Sequence, residues 1–257
     1  MNIDNISQQL LHAEIDRVPV QPLTDTYPNL CIEDAYAIQQ RTISIYREQG
    51  KRVIGKKIGI TSRGMQRLLN VEKPDFGHLM DDMLISEGDP CRIGDLIAPK
   101  VEGEIAFVLN KRLQGPGLTI ADVYRATEFI LPAIEIVDSR IVDWKIKLMD
   151  TIADNASSGR FVIGSHMMKI ADLDLMLIGM LIQKNGELVN SGVGAEVLGN
   201  PARAVAWLGN QLSILKLSLE PGEIILSGAV TAAIPAKKGD VFSVSFDRLG
   251  NLNLLFN

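Results

Sequence analysis

The segment Val101-Glu102-Gly103-Glu104-Ile105-Ala106-Phe107-Val108-Leu109-Asn110 constrains this chain more than any other. Its apolar run reads as a buried β-strand, yet it opens with two glutamates on either side of one glycine. Successive side chains of a strand point to opposite faces. Glu102 and Glu104 therefore share a face with Ala106 and Val108, while Val101, Gly103, Ile105 and Phe107 share the other. Both faces turn apolar after Ile105, so the strand runs from a wet or functional end into a core. Residues two apart on a strand lie roughly 6.6 to 7 Å apart at Cα. Two like charges entering a core are unfavourable unless a cation joins them or one carboxylate keeps its proton.

A third carboxylate stands in a second strand-like run, Phe129 to Val137, where Glu135 is the lone charge among apolar residues. If the two strands are neighbours, three carboxylates converge, and an all-oxygen set favours Mg²⁺ or Mn²⁺ over zinc. The other arrangement open to these residues is a solvated edge strand, with Glu135 at a bend made by Pro132. In Ile54-Gly55-Lys56-Lys57-Ile58-Gly59-Ile60-Thr61-Ser62, alternation lets only one lysine face such a site; a solvated lysine is the plainer expectation. Pro74-Asp75-Phe76-Gly77-His78 has the composition of a turn, from which Asp75 or His78 could do acid–base work. Asp150 to Arg160 interleaves polar groups with apolar segments, as a loop around a polar ligand or a capped turn does.

The remaining text bounds the class. Apolar spacing of three and four predicts helices over Ile3 to Ile15 and Ile32 to Glu48, joined by a proline-rich connector. From Val53 onward short apolar runs alternate with glycine, proline and aspartate clusters, as strands bounded by turns do. Asn185-Gly186 predicts a tight hairpin, and Asn200-Pro201 caps and starts a helix through Leu212. The expected organisation is an N-terminal helical section, residues 1–52, leading into a mainly β domain, residues 53–257. A net charge of -5 gives no basic nucleic-acid footprint. The N-terminus lacks the apolar core of a signal or anchor, and no window holds the roughly 18 to 20 apolar residues a spanning helix needs. Two cysteines without C-x-x-C spacing point to a reducing compartment, so a soluble cytoplasmic protein is expected. Gly192, Gly194 and Gly199 miss the dinucleotide fingerprint, the third glycine falling two positions late. Trp144 and Trp207 are expected as packing residues.

Taken together, IEDAYAIQ, GKKIGITS, KPDFGHLMDDM, VEGEIAFVL, GPG, IEIVDSRIVDWKIK, DTIADNASSGRFVIG, LGNPARAVAWL and EIILSG resemble the hydratase and decarboxylase branch of the fumarylacetoacetate hydrolase superfamily. Within that branch they are most similar to the 2-hydroxypenta-2,4-dienoate hydratases of aromatic meta-cleavage pathways. The resemblance implies an α+β fold, a β-rich roll of mixed sheets with outer helices and a small N-terminal helical section. It implies a divalent cation, Mg²⁺ or Mn²⁺, on Glu102, Glu104 and Glu135, and singles out Lys57 over Lys56. Asp75 and Ser157 fall in family motifs beside the substrate, a small 2-oxo or 2-hydroxy dienoic acid. Ser158 and Arg160 depart from the residues that usually follow ADNAS in the family. The resemblance also implies a homo-oligomer and association with a pathway decarboxylase. A 4-oxalocrotonate decarboxylase, and a non-catalytic partner of one, are the competing activities.

Overall fold

The computed structural model describes residues 1–257, the side chain of Leu69 excepted. Three helices come first: α1 (Ile3–Asp16), α2 (Leu23–Thr26) and α3 (Ile32–Glu48). Asn2 caps α1 by accepting a hydrogen bond from Asn5 N at 3.1 Å, and left-handed Arg17 ends it. α1 buries Ile6, Leu10 and Leu11, and α3 buries Ala35, Ile38 and Ile45, so the amphipathic spacing of both segments becomes packing. Asp150 ties the short α2 down, accepting from Thr24 N at 2.9 Å and Thr24 Oγ1 at 2.8 Å.

The next elements are β1 (Val53–Gly59), α4 (Arg63–Leu69), β2 (Asp75–Met80), β3 (Leu84–Ile85), β4 (Lys100–Leu109), α5 (Ile120–Ala126) and β5 (Thr127–Val137). They are followed by α6 (Leu148–Ala153), β6 (Ser158–Ile163), β7 (Gly179–Lys184), β8 (Glu187–Val193), α7 (Pro201–Ile214), β9 (Ile224–Leu226), β10 (Ile234–Pro235), β11 (Val241–Phe246) and β12 (Gly250–Leu255). The main sheet runs β2-β1-β9-β4-β5-β6-β3, with β10 against β4, and is mixed: β1 with β9 and β3 with β6 are parallel pairs. An antiparallel sheet, β12-β11-β7-β8, packs on it. The α+β architecture of mixed sheets with helices outside is the one expected. Among the described residues, no helix is long and apolar enough to cross a membrane.

Alternation divides the main sheet into two environments. Ile58, Phe76, Ile105, Phe107, Ile134 and Val162 join the large core formed with the second sheet and the helices. Burying one such side chain contributes about 1.5 to 3 kcal/mol. The opposite face carries a smaller cluster, including Leu79, Ala106, Leu131, Ala133, Phe161 and Leu226. Asn155, three residues before β6, accepts from His78 N at 2.7 Å and donates to His78 O at 2.9 Å, so its amide pairs with β2 as a neighbouring strand would.

Asn185 and Gly186 both take positive φ in the tight turn between β7 and β8, as that dipeptide predicts. Two local expectations fail. Asp75 to His78 is strand rather than turn, because Gly77 serves close approach: a Cβ there would lie 2.4 Å from Asn155 O. Asp150 to Arg160 is neither one loop nor one capped turn, but the end of α6, a left-handed step over Asn155 to Ser157, and the start of β6. Gly103 lies against side chains of the second sheet. A Cβ there would meet the second sheet, 2.3 Å from Met180 Sδ and 2.9 Å from Val244 Cγ1.

Candidate functional site

Strand register assembles the site. β4 lies between β9 and β5, and Glu102 stands directly opposite Glu135, with Glu104 two residues further along the same face. One oxygen from each of the three carboxylates lies within 4.8 Å of the others. Lys57 pairs with Leu226, which pairs with Ala106, so Lys57 shares the glutamate face. Asp75 pairs with Gly59, two residues from Lys57, and joins them. Four strands therefore deliver five ionisable groups to one patch, and Lys57 Nζ is 3.2 Å from Glu135 Oε1.

Glu104 and Glu135 are 0% and 1% exposed, and Glu102 is half-buried. The solvated edge strand is thereby overturned, and β5 runs unbroken through Pro132. The expectation of a solvated lysine fails as well, since Lys56 and Lys57 are both buried. Lys56 points to the other face and pairs with Glu223 at 2.5 Å.

The carboxylates are under-partnered. Glu104 Oε2 accepts from Gly228 N at 2.7 Å, and Asp75 Oδ2 accepts from Thr151 Oγ1 at 3.0 Å. Among the described residues Glu104 Oε1, Asp75 Oδ1 and both Glu135 oxygens have no hydrogen-bond donor; the Lys57 contact with Glu135 is an ion pair without hydrogen-bond geometry. Buried oxygens in this state are costly, and an oxygen-coordinated divalent cation is the partner that suits them. Burial, then the charge of Glu135, pushes the Glu102 carboxyl up to about 7. Burial, then Glu135 and Glu102, lifts Glu104 well above the usual range. Burial also raises Asp75, against the pull of Lys57. For Lys57 burial works to lower the ammonium, but Glu135, Asp75, Glu102 and Glu104 outweigh it and raise it.

Lys57, Asp75 and Glu102 border a cavity of about 240 Å³, whose wall also includes Ser157, Lys100 and Trp144. Ser157 reaches it through an unusual backbone: Asn155, Ala156 and Ser157 all have φ 52°. A left-handed non-glycine residue costs roughly 1 to 2 kcal/mol, so this run needs support. Asn155 has its two bonds to His78, Asp138 N donates to Ser157 O at 2.8 Å, and Ser157 Oγ donates to Asp154 Oδ2 at 3.2 Å. Ile60, a β-branched residue at φ 57°, also lines the cavity. Strain of this kind gathers at working sites.

A fumarylacetoacetate hydrolase C-terminal family model matches residues 56–255. The chain belongs to the fumarylacetoacetate hydrolase family. A 2-hydroxyhexa-2,4-dienoate hydratase from Comamonas testosteroni is 46% identical over 99% of this chain and 97% of its own. A 2-hydroxypent-2,4-dienoate hydratase from Pseudomonas putida is 49% identical over 82% of this chain and 95% of its own. Among solved structures, 4-oxalocrotonate decarboxylase from Pseudomonas putida G7, complexed with magnesium and adipate, superposes with a TM-score of 0.97 at 33% identity. That match covers 99% of this chain and 97% of the decarboxylase.

Within this family frame, the structure brings Lys57, Asp75, Glu102, Glu104, Glu135 and Ser157 together. His78 is left out. It faces away beside Lys56, and burial, then that positive charge, pushes its imidazole down to about 3, leaving it neutral. Ser158 bonds Asn155 O, and neither it nor Arg160 is on the cavity wall. Residue-level reading missed Lys100 and Thr151 and took Trp144 for packing alone. Lys100 was detectable, being two residues before Glu102 and so on its face. Thr151 gives no such signal, because its bond to Asp75 crosses 76 residues.

Proposed function

We propose that this protein is a metal-dependent hydratase that adds water to 2-hydroxypenta-2,4-dienoate to give 4-hydroxy-2-oxopentanoate. The carrying observation is the trio of buried, under-partnered carboxylates beside Lys57 and Asp75 at a cavity of about 240 Å³. The names of the hydratase relatives select the reaction. When bound by Glu102, Glu104 and Glu135, Mg²⁺ or Mn²⁺ supplies Lewis acidity to the C2 oxygen of the substrate.

Protons balance in two stages. The C2 hydroxyl loses its proton while C5 gains one, and water then divides between C4, which takes hydroxide, and C3, which takes the proton. Lys57 Nζ, held in its ammonium form by the surrounding carboxylates, relays protons to substrate carbon. Asp75 presents Oδ1 to the attacking water, while Thr151 holds Oδ2 and fixes the carboxyl plane. Ser157 Oγ hydrogen-bonds the substrate from the cavity wall, and its tie to Asp154 sets its direction. The same reading makes the protein cytoplasmic and homo-oligomeric, with a pathway decarboxylase as associate.

The decarboxylase structure at a TM-score of 0.97 favours one competing activity, loss of CO₂ from a dicarboxylate. Pure protein with Mg²⁺ and freshly made 2-hydroxypenta-2,4-dienoate, and separately with 2-oxohex-3-enedioate, separates the readings. Hydration of the first without CO₂ from the second is expected. CO₂ release from the second would sink the hydratase reading, and inertness toward both would favour a non-catalytic partner.

A further inference from the structure

Lys57 and Lys100 are the two cations on the cavity wall among the described residues, and they are held in opposite ways. Lys57 is committed to a carboxylate, 3.2 Å from Glu135. Lys100 has no ion-pair partner among the described residues; its Nζ sits 4.0 Å from the centroid of the Trp144 ring. Trp144 is fixed in turn, because its Nε1 donates to Ala98 O at 2.9 Å and its own φ is 56°. That bond lands two residues before Lys100. The indole and the strand that carries the lysine are therefore locked together, and the ammonium is held against an aromatic face with its other donors free.

Charge balance says what those donors are for. Asp75, Glu102, Glu104 and Glu135 oppose Lys57, Lys100 and one divalent cation, which leaves the loaded cavity neutral. Without Lys100 it would be negative, and an acid substrate would enter against repulsion. A 2-oxo or 2-hydroxy acid that chelates through one carboxylate oxygen and its C2 oxygen leaves the second carboxylate oxygen without a partner. Lys57 is already paired with Glu135 and assigned to proton transfer, which leaves Lys100 as the uncommitted cation on the wall.

We infer that Lys100, positioned over Trp144, binds the free carboxylate oxygen of the substrate. Lys57 is thereby left to proton transfer. The inference rests on the metal on Glu102, Glu104 and Glu135 proposed above, to which the substrate acid binds.

The test is calorimetric titration of oxalate, the smallest ligand with the same pair of chelating oxygens and a free carboxylate oxygen, into Mg²⁺-loaded protein. Lys100→Met is expected to weaken oxalate binding about tenfold or more, while Mg²⁺ affinity in the absence of oxalate does not fall. Lys100→Arg should restore most of the loss, and Trp144→Phe, which keeps a ring but loses the bond to Ala98, should fall between. With substrate, Lys100→Met should raise KM by a larger factor than it lowers kcat. Equal oxalate affinity in wild type and Lys100→Met would overturn the inference alone. Wild-type protein that binds Mg²⁺ but no oxalate would overturn the chelation reading and this inference with it.

Discussion

Two clusters of buried charge lie side by side in this fold, and they are built to opposite rules. Around Arg140 each guanidinium nitrogen and each Asp154 and Asp138 carboxylate oxygen has a hydrogen-bond partner. Its Nε meets Asp154 Oδ1 at 2.5 Å, Nη1 donates to Asp138 O and Ser158 O at 2.7 Å, and Nη2 donates to Asp154 O. Asp154 Oδ2 accepts from Ser139 Oγ, Ser157 Oγ and Arg140 N, while Asp138 accepts from Ile97 N and Ala98 N. Around Glu102, Glu104 and Glu135 there are like charges at close range and oxygens without donors. A satisfied network specifies structure, and an unsatisfied one reserves a place for something the chain does not itself contain. Ser157 bonds Asp154 in the first cluster and lines the cavity beside the second, so the rigid network aims a side chain toward the open one.

That contrast can be broken by substitution. Glu104→Gln is expected to weaken Mn²⁺ binding by at least roughly 100-fold and to lower turnover by about a thousandfold, measured by titration and by substrate absorbance. Full turnover with unchanged Mn²⁺ affinity would remove Glu104 from the centre. The metal-free protein should not lose stability in this variant, since one of several repelling charges has gone. Lys57→Ala should cut kcat by about 10² to 10⁴, and an unchanged kcat and KM would take Lys57 out of the site.

Asp154→Asn should do the reverse. Its expected loss is in stability, roughly 3 to 5 kcal/mol from a broken buried pair, or a Tm drop on the order of 10 °C, with little change in Mg²⁺ affinity per folded molecule. A Tm within about 2 °C of wild type would show that the Arg140 network is not a structural clamp.

The pH response sharpens the same contrast. Folding raises the Glu102 carboxyl from 4.5 to about 7, so over that window the folded chain holds a proton the unfolded chain has lost. In the metal-free protein this stabilising contribution is complete below pH 4.5 and is lost as pH rises to about 7. It amounts to roughly 3 kcal/mol, read as the difference between wild type and Glu102→Gln across that range. Mg²⁺ binding must displace this proton and the one that burial favours on Glu104, so affinity should climb with pH through about 7. A flat affinity between pH 5.5 and 8 would mean that no proton leaves when the ion binds.

The smallest expected effect lies on the other face of the same strand. Gly103→Ala pushes a methyl against Met180 and Val244, which should cost about 1 to 2 kcal/mol of stability and leave metal affinity alone.

Much of this was legible in the residues. Alternation placed Glu102 and Glu104 together and marked Glu135 as an unexplained charge, and local chemistry found α1, α3, α7 and the Asn185-Gly186 hairpin. Spacing offered a metal as one of two arrangements, and the resemblance selected it and chose Lys57. The strand at Asp75 was hidden because glycine there signals a turn by composition, whereas Gly77 answers a contact with Asn155, 78 residues away along the chain.

By itself the sequence determined which side chains share a face, because the period of a strand is local and needs no partner. Only the tertiary structure decided which faces meet. Lys56 and Lys57 sit in equally apolar surroundings, and pairing of β1 with β9 and of β9 with β4 is what turns Lys57 toward the glutamates and Lys56 toward Glu223. A one-residue shift in that register would exchange them. Register is set by the packing of two whole faces, and so the centre's charge arrangement belongs to the sheet and to no single segment.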